Sequence, residues 1–113
     1  MPLFEKARIE VYLPDLDRPA YLEFLEELQS EFTYTFGGST LVRGLNGRYL
    51  SQAGIVMRDP VNVVYTDTPF QLSANESLLS EFVPELRDAA LCALDEEGIL
   101  VAVIPIYHPT DQS

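Results

Sequence analysis

The chain predicts an α+β domain of the ferredoxin-like βαββαβ plan, a four-stranded antiparallel sheet with two helices on one face. Three observations carry that reading. A strand-like alternation runs directly into a helical stripe, two further strand-like stretches precede a second helical stripe, and the last apolar run is hydrophobic on both faces. Strand, helix, two strands, helix, strand at this spacing is the split βαβ arrangement, which places both helices on the same side of the sheet.

Each element has its own signature. From Ala7 to Leu13, Ile9, Val11 and Leu13 alternate with Arg8, Glu10 and Tyr12, the period of a strand with one buried face. Pro14-Asp15 and Asp17-Arg18-Pro19 then supply a stop, a cap and an early-helix proline. From Pro19 to Phe32, Tyr21, Leu25, Leu28 and Phe32 recur at steps of three and four, widened by Leu22 and Phe24 and opposed by Glu23, Glu26, Glu27 and Glu31. Asn46-Gly47 is a two-residue hairpin signal, so a second strand is expected over Ser39 to Leu45, with Arg48 to Leu50 returning beside it. Ser51-Gln52-Ala53-Gly54 reads as loop, Asp59-Pro60 as another turn, and Val61 to Thr66 as the third strand. Ser73-Ala74-Asn75-Glu76 has capping-box spacing before a long stripe from Leu78 to Leu94, within which Pro84 predicts a kink or break near Ser80. Asp95-Glu96-Glu97-Gly98 ends that helix, Ile99 to Tyr107 is the fourth strand, and Thr110 to Ser113 reads as a frayed tail.

At 113 residues with no break in composition, the chain is expected to form one domain around one core. It carries 18 acidic and 7 basic residues, a net charge of −11, which excludes sequence-independent grip on a nucleic-acid backbone. The N-terminal residues lack the charged start and apolar run of a signal peptide, and no window has the length of a membrane span, so a cytoplasmic protein without membrane contact is expected. The single cysteine, Cys92, excludes an internal disulfide and, set in Ala90-Leu91-Cys92-Ala93-Leu94, is expected to be a buried, inert thiol. Asp15 with Asp17, and Asp95 with Glu96 and Glu97, lack the glycine and ligand spacing of a calcium loop. No metal site and no cofactor is implied.

The segment most suited to function is Thr33 to Arg58, which holds five of the six glycines, three basic residues and no acid. Gly37-Gly38-Ser39-Thr40 could form a backbone nest that offers N–H groups and hydroxyls to an anion, with Arg43, Arg48 and Arg58 adding charge. The plainer reading of the same glycines is a tight bulge at the start of a strand. His108 has the near-neutral pKa that suits proton transfer, and Tyr49, Asp67, Tyr107 and His108 form a conceivable acid-base group around a cleft; a surface histidine before a polar tail is the plainer alternative.

Phe36-x-Gly38-x-Thr40, the hydrophobic strand after it, Asn46-Gly47-Arg48-Tyr49, then Val61 to Thr66 and a final helix and strand together resemble a small bacterial family of unknown function. That resemblance implies a ferredoxin-like plan and no catalytic role.

In such a sheet the fourth strand lies at an edge, compatible with Pro105. Its two-sided apolar pattern, with Val64 and Tyr12 placed on the same open face, points to a homodimer through that face. The function expected is a binding or regulatory module whose working surface is the basic hairpin 37–58, taking a protein partner or a small anion. Two alternatives stand beside it: a small enzyme with a cleft near Tyr49 and His108, and an acidic decoy for a nucleic-acid-binding partner.

Overall fold

The computed structural model describes residues 3–94 and 99–109, except for the side chain of Tyr49. The expectations placed on Asp95 to Gly98 and on the tail 110–113 lie outside the described residues. The order is β1 (Phe4–Pro14), α1 (Pro19–Phe36), β2 (Thr40–Leu50), β3 (Val56–Asp67), α2 (Glu76–Leu94) and β4 (Leu100–His108). The antiparallel sheet has the order β2-β3-β1-β4 with β4 at an edge, the ferredoxin-like plan that the sequence predicts.

The period-two pattern of β1 sets the layers. Ala7, Ile9, Val11 and Leu13 are buried beneath the helices, and register places Val64 of β3 opposite Val11 on that same face. Val64 is therefore a core residue rather than part of the open face; Val63, the partner of Tyr12, takes the outward position. In α1, the four residues read as the helical stripe, Tyr21, Leu25, Leu28 and Phe32, are the four that are buried. This helix continues one turn beyond Phe32 and closes at Gly37, whose φ of 100° lets its N–H reach the Thr33 carbonyl at 2.9 Å. The added turn puts the Phe36 ring edge-on to Phe82 and Phe70, with centroids 5.7 and 6.2 Å away.

Two expectations for α2 are corrected. It is one uninterrupted helix, with Pro84 inside it. It begins at Glu76 without the Ser73 capping box, because the Ser73 N–H and hydroxyl donate to Glu5 Oε2 instead. Cys92 is exposed, since the buried stripe of α2 runs through Leu79, Ala90 and Leu94, and two residues from Ala90 or Leu94 turns the thiol outward.

The largest correction concerns β2 and β3. Asn46-Gly47 and Asp59-Pro60 are not turns: they lie opposite each other within one long ladder, Asn46 against Pro60 and Gly47 against Asp59. The chain reverses at Ser51–Ile55, where the Ser51 N–H donates to the Ile55 carbonyl and the Gly54 N–H to that of Ser51, both at 2.9 Å. Pairing of β3 with β1 ends at Val61, so Leu45–Leu50 and Val56–Pro60 project as a two-stranded arm and the molecule reaches 48 Å in its longest dimension. Register also explains Gly47. Its φ is not positive; a Cβ there would stand 2.5 Å from Val61 Cγ2 and 2.9 Å from the Asp59 carbonyl oxygen. Close approach, not turn chemistry, requires the glycine.

Gly47→Ala is accordingly expected to lose about 1–3 kcal/mol in denaturant unfolding. Gly38→Ala, where a Cβ meets nothing within 4 Å, should change little; equal losses at both positions would remove the crowding explanation.

Candidate functional site

The basic, glycine-rich segment is divided by the fold into three places. Gly37, Gly38, Ser39 and Thr40 line a cleft of about 250 Å³ with Phe36, Tyr65, Thr66 and Asp67. The Thr66 hydroxyl donates to the Gly38 carbonyl at 2.6 Å, and Thr33 Oγ1 and Ser39 Oγ lie 3.2 Å apart, so the short connection between α1 and β2 is tied down at both ends. One wall is electrostatically closed. Arg8 Nε and Nη2 donate to the two Asp67 oxygens at 2.6 and 3.1 Å, and the guanidinium carbon sits 4.3 Å over the Tyr65 ring. The hydrogen bond to Asp67 raises the Arg8 pKa above its usual value.

Arg43 stands apart from this cleft. Its Nη2 donates to Asp15 Oδ1 at 3.2 Å, beside Leu16, Asp17, Arg18 and Leu22. The arginine belongs to a bulge, because Arg43 and Gly44 together oppose the single residue Asn62 between the pairs Val42–Val63 and Leu45–Val61. Gly44 takes φ 76° and its N–H, turned out of the ladder, is accepted by Asn62 Oδ1 at 3.1 Å. The Asn62 amide nitrogen donates to Asp15 Oδ1 at 3.0 Å and to the Tyr21 hydroxyl at 2.9 Å. One fully buried amide thus joins the end of β1, the first turn of α1 and the root of the arm. Asn62 was not among the residues the sequence singled out, and Asp15 was read only as punctuation after the first strand; the signal was a lone amide inside the apolar run Val61 to Thr66.

Arg48 and Arg58 do converge. They are direct cross-strand partners on the arm and line a second cleft, of about 260 Å³, with Asn46, Gly47, Asp59 and Pro60. Like charges placed directly opposite each other oppose folding, and among the described residues neither arginine makes an ion pair. Four residues of β3, Val61 to Val64, separate this cleft from Tyr65 at the other, roughly 17 Å of strand.

The acid-base group does not assemble. Tyr107 and His108 are consecutive on β4 and turn to opposite faces: the Tyr107 hydroxyl donates to Glu5 Oε1 at 3.4 Å, on the helix side, whereas His108 pairs with Phe4 on the open side, ring centroids 6.4 Å apart. Asp67 is engaged by Arg8, and Tyr49 lies on the arm opposite Met57, its side chain outside the described residues. Among the described residues no group of His, Cys, Asp and Glu has the arrangement of a metal site, and no helix is long and apolar enough to cross a membrane.

No protein-family model and no curated protein matches the chain. Solved structures do. A nitrogen regulatory PII-like protein from Thiomonas intermedia, bound to ADP, AMP and bicarbonate, is 18% identical, with 96% of this chain and 99% of that one covered at a TM-score of 0.51. The divalent cation tolerance protein CutA from Thermus thermophilus is 16% identical over 91% of this chain and 84% of its own, with a TM-score of 0.57. CutA from Synechococcus elongatus is 13% identical, covering 95% and 85%, with a TM-score of 0.51. At these identities the likeness is one of fold.

The Asn62 network gives a titratable handle. Burial raises the Tyr21 pKa above its usual 10.0. As pH rises, the unfolded chain therefore releases this proton first: the associated stability is whole below pH 10.0 and is lost as pH climbs through the folded value. Tyr21→Phe is expected to cost about 1 kcal/mol at neutral pH and to flatten the alkaline decline in chemical denaturation. An unchanged decline would assign it to Tyr12, whose pKa is raised by its hydrogen bond to Glu10.

Proposed function

We propose that this chain is a small binding module of regulatory type whose working surface is the β2–β3 arm and its root, and that it takes a small oxyanion across Arg48 and Arg58. The observation that carries the reading is the directly opposed arginine pair, kept without an ion pair among the described residues in a chain of net charge −11. A bound anion would convert a repulsive pair into two charge-assisted hydrogen bonds. Gly37 to Thr40 form a second contact region at the end of β2 away from the arm, where Thr40 pairs with Tyr65, while Arg43 serves the bulge through Asp15. Both clefts fall below the roughly 300 Å³ at which organic ligand pockets begin, so one copy of the chain suits a carboxylate, bicarbonate or phosphate group better than a whole nucleotide. The ligands named for the PII-like neighbour, ADP, AMP and bicarbonate, are all anions, which agrees with this class.

A second copy of the chain is the partner this reading includes. Leu100 and Ile104 on the open face of β4 are 57% and 37% exposed, and an apolar strip on an otherwise uncovered sheet face favours association.

Two measurements test these statements. Arg48→Ala should weaken binding of bicarbonate or phosphate by about tenfold, the loss of one charge-assisted hydrogen bond, while leaving Tm equal or slightly higher because a like-charge contact is removed. A fall in Tm with binding intact would assign Arg48 to structure. Multi-angle light scattering should report about twice the 12.7 kDa chain mass for the native protein and the monomer for Ile104→Glu; a native monomer at every concentration would remove the dimer.

A further inference from the structure

The end of the sheet opposite the arm holds two nitrogen groups for which no partner stands among the described residues. Lys6 is only 6% exposed, yet among the described residues it makes no hydrogen bond or ion pair. Its place on β1 puts it on the open face with Arg8, two residues on. His108 shares that face through its pairing with Phe4, and because Lys6 pairs with Ile106, lysine and histidine are diagonal neighbours across β1 and β4. His108 Nε2 is buried and has no hydrogen-bond partner among the described residues.

The nearby acids do not answer these charges. Asp67 uses both oxygens on Arg8. Glu5 points to the helix side, where one oxygen accepts from Ser73 and the other from Tyr107. Three nitrogen-bearing side chains, Lys6, Arg8 and His108, therefore gather at one end of the open face with their local carboxylates already engaged. The Lys6 stem is buried while its ammonium reaches water, and the buried His108 Nε2 is the group that is costly unless something pairs with it.

We propose that Lys6 and His108 form a second anion subsite, filled by a small free oxyanion such as bicarbonate, acetate or phosphate. The Lys6 ammonium supplies the charge and His108, as the Nε2–H form, a directional second donor; the adjacent Arg8–Asp67 pair is neutral as a unit and repels nothing. The subsite lies at the far end of β1 from the arm and does not depend on the arginine pair.

The test uses the full chain with sodium bicarbonate, acetate and phosphate in turn, read by thermal shift and by the imidazole NMR signals of His108. One or more of these anions should raise Tm and move the His108 signals. Lys6→Met, which keeps the buried stem, should weaken that response about ten- to a hundredfold, the worth of a hydrogen bond to a charged group, and Lys6→Arg should retain most of it. His108→Gln gives a second variant, readable by thermal shift, should Lys6→Met fold poorly, and is expected to weaken the same response. Arg48→Ala should leave the His108 shifts intact, which separates this subsite from the arm. Three results would overturn the proposal: no anion moving the His108 signals, a response unchanged in both Lys6→Met and His108→Gln, or a loss of assembled mass in Lys6→Met, since the counter-charge would then be a carboxylate of a second copy.

Discussion

One buried amide decides where this molecule stops being a sandwich of sheet and helices and becomes an arm. Asn62 accepts the Gly44 N–H that the bulge has turned out of the ladder, and donates to Asp15 and Tyr21. Without that acceptor, the bulge would leave a backbone donor unpaired next to the core, a cost of about 1–3 kcal/mol. With it, two residues on β2 can face one on β3, the outward and inward positions of β2 are exchanged, and the strands beyond continue with their own facing. Arg48 and Arg58 are opposite each other because of that offset.

The same interaction explains why part of the structure was legible in the sequence and part was not. Tyr21, Leu25, Leu28 and Phe32 were readable because a helical stripe is a local pattern, set by 3.6 residues per turn and by what one face must bury. The alternation of β1 was equally local. Asn46-Gly47 and Asp59-Pro60 misled for the converse reason: each resembles a turn in isolation, and what overrides both is a pairing partner thirteen or so residues away. Glycine at position 47 answers to the Val61 side chain, which no scan of neighbouring positions could reveal. Cys92 was placed in the core because Ala90-Leu91-Cys92-Ala93-Leu94 is apolar throughout, whereas the buried residues of α2 are Leu79, Ala90 and Leu94.

The candidate sites follow this division. Basic residues could be counted from the sequence, but their convergence depends on register: it joins Arg48 to Arg58, gives Arg43 to Asp15, and sends Tyr107 and His108 to opposite faces of one strand. Arg8 gave no sequence signal beyond the outward half of an alternating strand, and Lys6 stood just before that alternation. Their difference is decided by the third dimension, where Asp67 reaches one and nothing among the described residues reaches the other.

The projection of the arm has a consequence for how the molecule responds to ionic strength. Arg48 and Arg58 lie about three residues beyond Val61, roughly 10 Å along the strand, whereas most of the carboxylates are on the helices and their flanking turns. At physiological salt the screening length is about 8 Å, so the negative field of the body is largely spent before it reaches the arginines. In dilute buffer that field extends over the whole arm and turns approaching anions away, while contact attraction between guanidinium and oxyanion, acting over a few ångströms, changes much less. If the arm takes an oxyanion as proposed, moderate salt would thus strengthen its capture instead of weakening it, the reverse of the dependence shown by an ordinary basic patch.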